Sequence, residues 1–214
     1  LVAAPGVVIV TGDHQGRTRR RRVGEVDDPI DRLRVGRRVA DRGRGGAGLG
    51  EQHGRGAPGQ TRDIALAPDG AHAWVINEKT STITTYTIGA AGALTAGATV
   101  SARPAGASGP NTGAEIAVHP SGEWLYASNR GDDTIAVFAI GAGGALTLQA
   151  SVPTGGARPR HFAIVLEGRG LLVANQDSAS IVGFHLDPQT GALTSAGKLA
   201  DVPGPQFVDQ LRLP

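Results

Sequence analysis

The chain of 214 residues contains no cysteine and no methionine. Without cysteine there can be no disulfide, no thiolate metal site and no thiol nucleophile, so packing and hydrogen bonding must hold the fold. Methionine is missing even at position 1, so the chain either starts inside a longer reading frame or has been processed, and a fragment is the expectation. Aromatic residues make up only 4%, which leaves no row of rings on which nucleic-acid bases could stack. No apolar run approaches the roughly 20 residues of a membrane-spanning helix, and the opening LVAAPGVVIV has no basic n-region. A soluble, cytoplasmic protein is the expectation, with no membrane partner. What is plentiful is glycine, 33 residues, beside 40% hydrophobic residues, enough for a sizeable core with many tight turns.

The net charge of +2 is unevenly spread. Residues 11–60 hold 12 arginines against 7 acids, whereas residues 61–214 hold 9 basic residues against 12 acidic ones. The run Arg19 to Arg22 has the charge to touch phosphates, but it sits in glycine-rich text without aromatics, so nucleic acid is not expected as a partner. Residues 1–60 read as a degenerate or poorly ordered segment, the remnant of one structural unit.

From residue 61 a unit recurs three times. The copies are IALAPDGAHAWVINEKTSTITTYTIGAAGALT from Ile64, IAVHPSGEWLYASNRGDDTIAVFAIGAGGALT from Ile116 and FAIVLEGRGLLVANQDSASIVGFHLDPQTGALT from Phe162, offset by 52 and 46 residues. Each predicts a short apolar strand, a turn at Gly70, Gly122 or Gly168, and a second strand ending at Asn77, Asn129 or Asn175. A third strand, a glycine-rich turn and a fourth strand after Ala-Leu-Thr follow. Four meandering strands per repeat describe a propeller blade, so the fold class is all-β, with three to four blades over residues 61–214. The end segment GPQFVDQLRLP reads as a closing strand in search of a partner blade. Trp74 and Trp124 read as equivalent packing residues between blades.

Hairpin symmetry locates a site. Residues equidistant from the first turn lie side by side at the far end of the hairpin, which sets Arg62 against Glu78, Ala114 and neighbouring Glu115 against Arg130, and Arg160 against Gln176, with His161 adjacent. If the first strands line a central channel, Arg62, Glu78, Glu115, Arg130, Arg160 and His161 meet at one mouth of it. His119 falls at the opposite end and reads as structural. Ser128 and Ser178 lack a nucleophile-elbow context, and no His/Asp/Glu spacing suggests a metal.

These residues resemble the β-propeller lactonase family, which includes 6-phosphogluconolactonases and carboxymuconate lactonising cyclases. The resemblance is carried by TGAEIAVHPSGEWLYASNRGDDTIAVF, by PTGGARPRHFAIVLEGRGLLVANQDSASIVGFHLDPQTGALT and by IALAPDGAHAWVINEKTSTI with its Asn77-Glu78 pair. Before residue 61 two islands persist: GDHQ, with His14 in the place of the second His of a His-x-His-Gln motif, and DDPIDRLRV. The Arg-Gly text between them has the look of a gene read partly out of frame. GQTRD at residues 59–63 keeps Arg62 of the family's Gly-Pro-Arg-His but has Thr61 and Asp63 where that motif has Pro and His. The resemblance implies a seven-bladed propeller of which this chain supplies a part.

The family likeness further implies hydrolysis of a small anionic sugar-acid lactone, without cofactor or metal. That reaction needs an activated water and a group to hold the developing oxyanion. Among the catalytic candidates, His14 is suited to general base because imidazole titrates near neutrality. Arg62 and Arg130 offer planar donors for carboxylate, phosphate or oxyanion, and Glu78 would orient an arginine or the water, or act as base in place of His14. Glu115, Arg160 and His161 are substrate-binding candidates. The alternatives are a muconate-type lactonising cyclase, and a propeller that binds without catalysis or is inactive as a partial chain.

Overall fold

The computed structural model describes residues 7–12, 33–35 and 61–212. These form fifteen strands and three short 3-10 turns. Three antiparallel four-stranded sheets follow one another along the chain, as the repeats require. The first is β3 (Thr61–Leu66), β4 (His72–Asn77), β5 (Thr82–Ile88) and β6 (Leu94–Ser101). The second is β7 (Gly113–Val118), β8 (Trp124–Asn129), β9 (Thr134–Ile140) and β10 (Leu146–Pro153). The third is β11 (Pro159–Val165), β12 (Gly170–Asn175), β13 (Ser180–Leu186) and β14 (Leu193–Asp201). Each is a meander with neighbours in sequence order, and the first strands β3, β7 and β11 lie against one another in succession. That is the blade arrangement of a β-propeller.

The closing strand β15 (Phe207–Arg212) corrects an expectation. It does not wait for a partner: it pairs antiparallel with β1 (Val7–Gly12), which pairs in parallel with β2 (Leu33–Val35). Two strands of the first 60 residues thus join the last strand in a fourth sheet, and β15 packs beside β11. The other residues expected to be degenerate lie outside the described residues.

Alternation along each first strand explains how blades stack. Ala65, Ala117 and Ala163 occupy one repeat position and pack toward the following sheet, whereas Ile116 and Phe162, one residue earlier, are buried against the preceding one. Ile64 and Leu66 are the counterparts of Ile116 and Val118 in the first blade, yet they are 46% and 61% exposed. Among the described residues, nothing covers the face that a preceding blade would bury. The three apolar clusters lie between successive sheets. Trp74, Ile76, Ile83, Leu125 and Phe138 belong to the first, Tyr126, Ile135, Phe162, Val173 and Phe184 to the second, and Leu172, Ile181 and Val208 to the third.

Polar ties at both ends of the strands fix one blade to the next. Asn129 Nδ2 donates to Ala102 O at 2.8 Å, and Asn175 Nδ2 donates to Thr154 O at 3.2 Å, each reaching the chain end of the preceding blade. At the opposite end, His119 is buried, accepts the Ser121 N–H at Nδ1, and so presents its Nε2 proton to Gly168 O at 3.0 Å. Gly168 has φ +89°, and an added Cβ would stand 2.4 Å from that Nε2, so glycine is required there on two counts. The tryptophans are not equivalent after all. Trp74 matches Tyr126, and both send a donor to a backbone carbonyl of the next blade's outer turn: Trp74 Nε1 to Gly144 O at 2.9 Å, Tyr126 OH to Gly191 O at 3.0 Å. Trp124 sits one alternation step away and donates to Pro188 O.

Candidate functional site

The same irregularity interrupts the first hairpin of all three blades. Register shifts fall between Thr61 and Asp63, between Gly113 and Ile116, and between Pro159 and His161. A bulge adds an unpaired residue, breaks the period-two alternation and re-aims side chains. Here it allows sequence neighbours, Arg62 with Asp63 and Arg160 with His161, to contribute to one site instead of opposite faces. Mirror symmetry about the turn does not allow for the extra residue. The observed partners of Asn77, Asn129 and Asn175 are Thr61, Gly113 and Pro159, and Glu78 and Arg130 stand just past the ends of their strands.

Glu78 is the hub of the first group. It forms an ion pair with Arg130 of the next blade, whose Nη2 also donates to Gly113 O at 3.1 Å, and its Oε2 lies 3.8 Å from Arg62 Nη1. The Arg130 hydrogen bond, with Arg62 and Arg160 acting at longer range, holds the Glu78 carboxyl below the usual carboxylate range despite partial burial. The Arg130 side chain is only 5% exposed, and its Nε has no partner among the described residues. Arg160 Nη1 donates to Gln176 Oε1 at 3.4 Å. Burial, then the positive charges of Arg62, Arg130 and Arg158, lower the Arg160 pKa. Three guanidinium groups from three blades therefore surround one carboxylate, an arrangement with positive charge to spare for an anionic ligand.

The second group is one residue further along the bulged strands, where the repeats place Asp63, Glu115 and His161. His161 Nε2 is 3.3 Å from Glu115 Oε2, and Asp63 of the preceding blade is near enough to act on the Glu115 carboxyl. The Val208 N–H donates to His161 Nδ1 at 3.4 Å, which leaves the imidazole proton on Nε2, facing Glu115. The His161 ring is stacked obliquely on Phe207, with centroids 4.5 Å apart. Burial holds His161 down at about 4, against the pull of Asp209 and Asp63 and with some help from Arg62. Burial first, then the hydrogen bond and charge of Asp63, push Glu115 up to about 9.

This shift has a measurable consequence for stability. From near 4.5 up to about 9 the folded chain keeps a proton on Glu115 that the unfolded chain releases. The associated stability is complete below the unfolded value and is lost as pH rises, by at most about 1.4 kcal/mol per pH unit. Glu115→Gln has no such proton to lose. Its Tm relative to the wild type is expected to climb steadily from pH 6.5 to 9, a window in which His161 stays neutral; thermal melts at several pH values check this, and a flat difference would refute it.

Of the residues expected at the site, the structure brings together Arg62, Glu78, Glu115, Arg130, Arg160 and His161. His14 lies outside the described residues. Asp63 was missed, because its replacement of a motif histidine reads as a departure from a pattern, when the repeat offset to Glu115 and His161 already marked it as a site position. Among the described residues no group of three or more His, Asp or Glu side chains is placed to hold a metal ion, and no helix is long and apolar enough to cross a membrane.

A family model described as "Lactonase, 7-bladed beta-propeller" matches residues 52–210. A 6-phosphogluconolactonase of Pectobacterium carotovorum is 35% identical over 154 residues, covering 71% of this chain and 46% of the relative. Among solved structures, a protein from Lactobacillus plantarum is 33% identical with a TM-score of 0.69, over 71% of this chain and 45% of that one. A periplasmic gluconolactonase of Pseudomonas aeruginosa is 29% identical with a TM-score of 0.68, over 72% and 43%. The chain spans about half the length of the curated relatives it matches.

Proposed function

Since the chain belongs to the lactonase family of seven-bladed β-propellers, we propose that it hydrolyses an anionic sugar-acid lactone, 6-phosphogluconolactone or a close analogue, at the end of the first strands where Arg62, Glu78, Arg130 and Arg160 converge. The observation that carries this reading is the Glu78 hub. A single carboxylate orients two guanidinium groups from separate blades, Arg62 and Arg130, while Arg160 keeps the local charge positive. Planar guanidinium donors match phosphate and carboxylate oxygens. A donor already fixed by Glu78 and Gly113 O can meet the oxyanion formed as water adds to the lactone carbonyl without reorganising. Lactone opening then needs only a base to take the water's proton and an acid to give a proton to the departing ring oxygen.

Paired rate measurements test the charge argument. The phosphorylated lactone is expected to react with a kcat/KM at least about tenfold above the unphosphorylated one, because one well-placed charge-assisted contact is worth about 1.5–3 kcal/mol. Equal rates for the two would contradict an arginine-based anion site. The cytoplasmic location expected from the sequence fits a phosphorylated metabolite, and cell fractionation distinguishes it from the periplasmic setting of the gluconolactonase.

The open face at Ile64 and Leu66 favours a second reading, in which the site turns over substrate only when further blades cover that face. The isolated chain would then bind the lactone's hydrolysis product, as titration calorimetry would detect, without accelerating hydrolysis.

A further inference from the structure

We propose that the cleft between the first two blades, at the end of the strands opposite Glu78, is a binding site for a planar N–H azole of one or two rings. The chain itself fills the same place one boundary further on. Between the second and third blades, His119 is 3% exposed and presents its Nε2 to Gly168 O at 3.0 Å, while the Ser121 N–H donates to its Nδ1 at 3.0 Å. The Trp124 indole lies against Gly191, where an added Cβ would stand 2.4 Å from its Cδ2. The 52-residue offset puts Ala67 in the place of His119 and His72 in that of Trp124. The contact is preserved with the smaller ring, since a Cβ added to Gly144 would stand 2.8 Å from His72 Cδ2. Both exchanges remove volume: an imidazole gives way to a methyl group, and an indole to an imidazole.

A cavity of about 310 Å³ lies where that volume is missing, with Ala67, Asp69, His72, Trp74, Gly122 and Gly144 among its walls. That is near the lower end for small-molecule sites, which combine apolar walls with a few converging polar groups. The polar groups here are counterparts of those that hold His119. Gly122 answers to Gly168 through the 46-residue offset and has the same left-handed backbone, φ +78° against +89°. Ala67 has no donor to offer its carbonyl. Asp69 answers to Ser121, and its Oδ1 accepts the Ala71 N–H at 2.9 Å. An azole seated beside Ala67 donates its N–H to Gly122 O and sets its second nitrogen against Asp69, reproducing the contacts of His119. A fused second ring extends into the space that the Trp124 indole fills at the next boundary, beside His72 and Trp74, whose ring centroids are 6.2 Å apart. The inference is independent of the lactonase reading, because Ala67 and His72 flank the turn of the first hairpin and Glu78 follows its far end.

Benzimidazole is the probe, titrated into the isotopically labelled 214-residue chain and followed by the indole N–H resonances in NMR spectra. Trp74 borders the cavity and Trp124 does not, so the two tryptophans report separately once Trp124→Phe has assigned them. The Trp74 resonance should shift saturably with a Kd of about 1 mM or tighter, an affinity within reach of so small a ligand, while that of Trp124 stays in place. Ala67→His supplies the missing imidazole and should weaken binding at least about tenfold, because two rings cannot occupy one place. His72→Trp refills the other part of the cavity and should weaken binding by a similar factor, which keeps the test decisive if Ala67→His does not fold. A Trp74 shift that is absent or does not saturate, equal shifts of both tryptophans, or undiminished binding in either folded variant would overturn the proposal.

Discussion

Arg130→Ala is expected to reduce lactone hydrolysis by about 100- to 1,000-fold, the range typical for removing a fixed donor to a developing oxyanion. It should also destabilise the fold by about 1–3 kcal/mol. Arg130 is 5% exposed, paired with Glu78 and bonded to Gly113 O, so truncation leaves a half-buried carboxylate and a backbone carbonyl without their donor. Arg62 is 26% exposed and 3.8 Å from the same carboxylate. Arg62→Ala should therefore cut activity by at least about tenfold with little change in Tm, since partly solvated ion pairs contribute only about 0–1 kcal/mol. Steady-state kinetics alongside thermal melts separate the two cases. An Arg130→Ala variant with wild-type turnover would remove this residue from the site.

Phe138→Ala should have the largest effect on stability, a loss of about 3–5 kcal/mol. The ring is 1% exposed on the third strand of the middle blade, within the cluster formed with Trp74, Ile76 and Ile83 of the preceding blade. The deletion opens a cavity between two sheets that are held together mainly by that cluster, and neither sheet can collapse into the gap without breaking the ties at its ends. Urea titration should show a lower midpoint with an unchanged slope. A loss under about 1 kcal/mol would mean that the blades do not stack through this face.

Much of the architecture could be read from the sequence because a propeller repeats its local signals. Gly70, Gly122 and Gly168 all have positive φ in the first turn, and Asn77, Asn129 and Asn175 all end a second strand. Period and turn chemistry are local properties, so the text displays them directly. Bulges are different. Whether Arg62 or Asp63 is left unpaired depends on how β3 is held by β4 and β7 together, and no local signal marks it. Hairpin symmetry about the turn therefore found Arg62, Glu78, Arg130 and Arg160, yet passed over Asp63. It also missed the contact of Glu115 with His161, which crosses from one blade to the next. The pairing of β15 with β1 was hidden for a related reason: strands at opposite ends of the chain announce their apolar pattern but not their partner. Trp74 and Trp124 show the opposite error, in which identity of residue type outweighed the 52-residue offset that equates Trp74 with Tyr126.

The central claim is that guanidinium groups gathered around Glu78 turn over an anionic lactone, and one measurement tests it most directly. Acid release from 6-phosphogluconolactone is followed at constant pH with the purified 214-residue chain, with Arg130→Ala, and with no protein. The account predicts a rate with wild type well above the spontaneous one and a fall of about 100-fold or more for the variant. Wild-type and variant rates that both match spontaneous hydrolysis, or that exceed it equally, would contradict it.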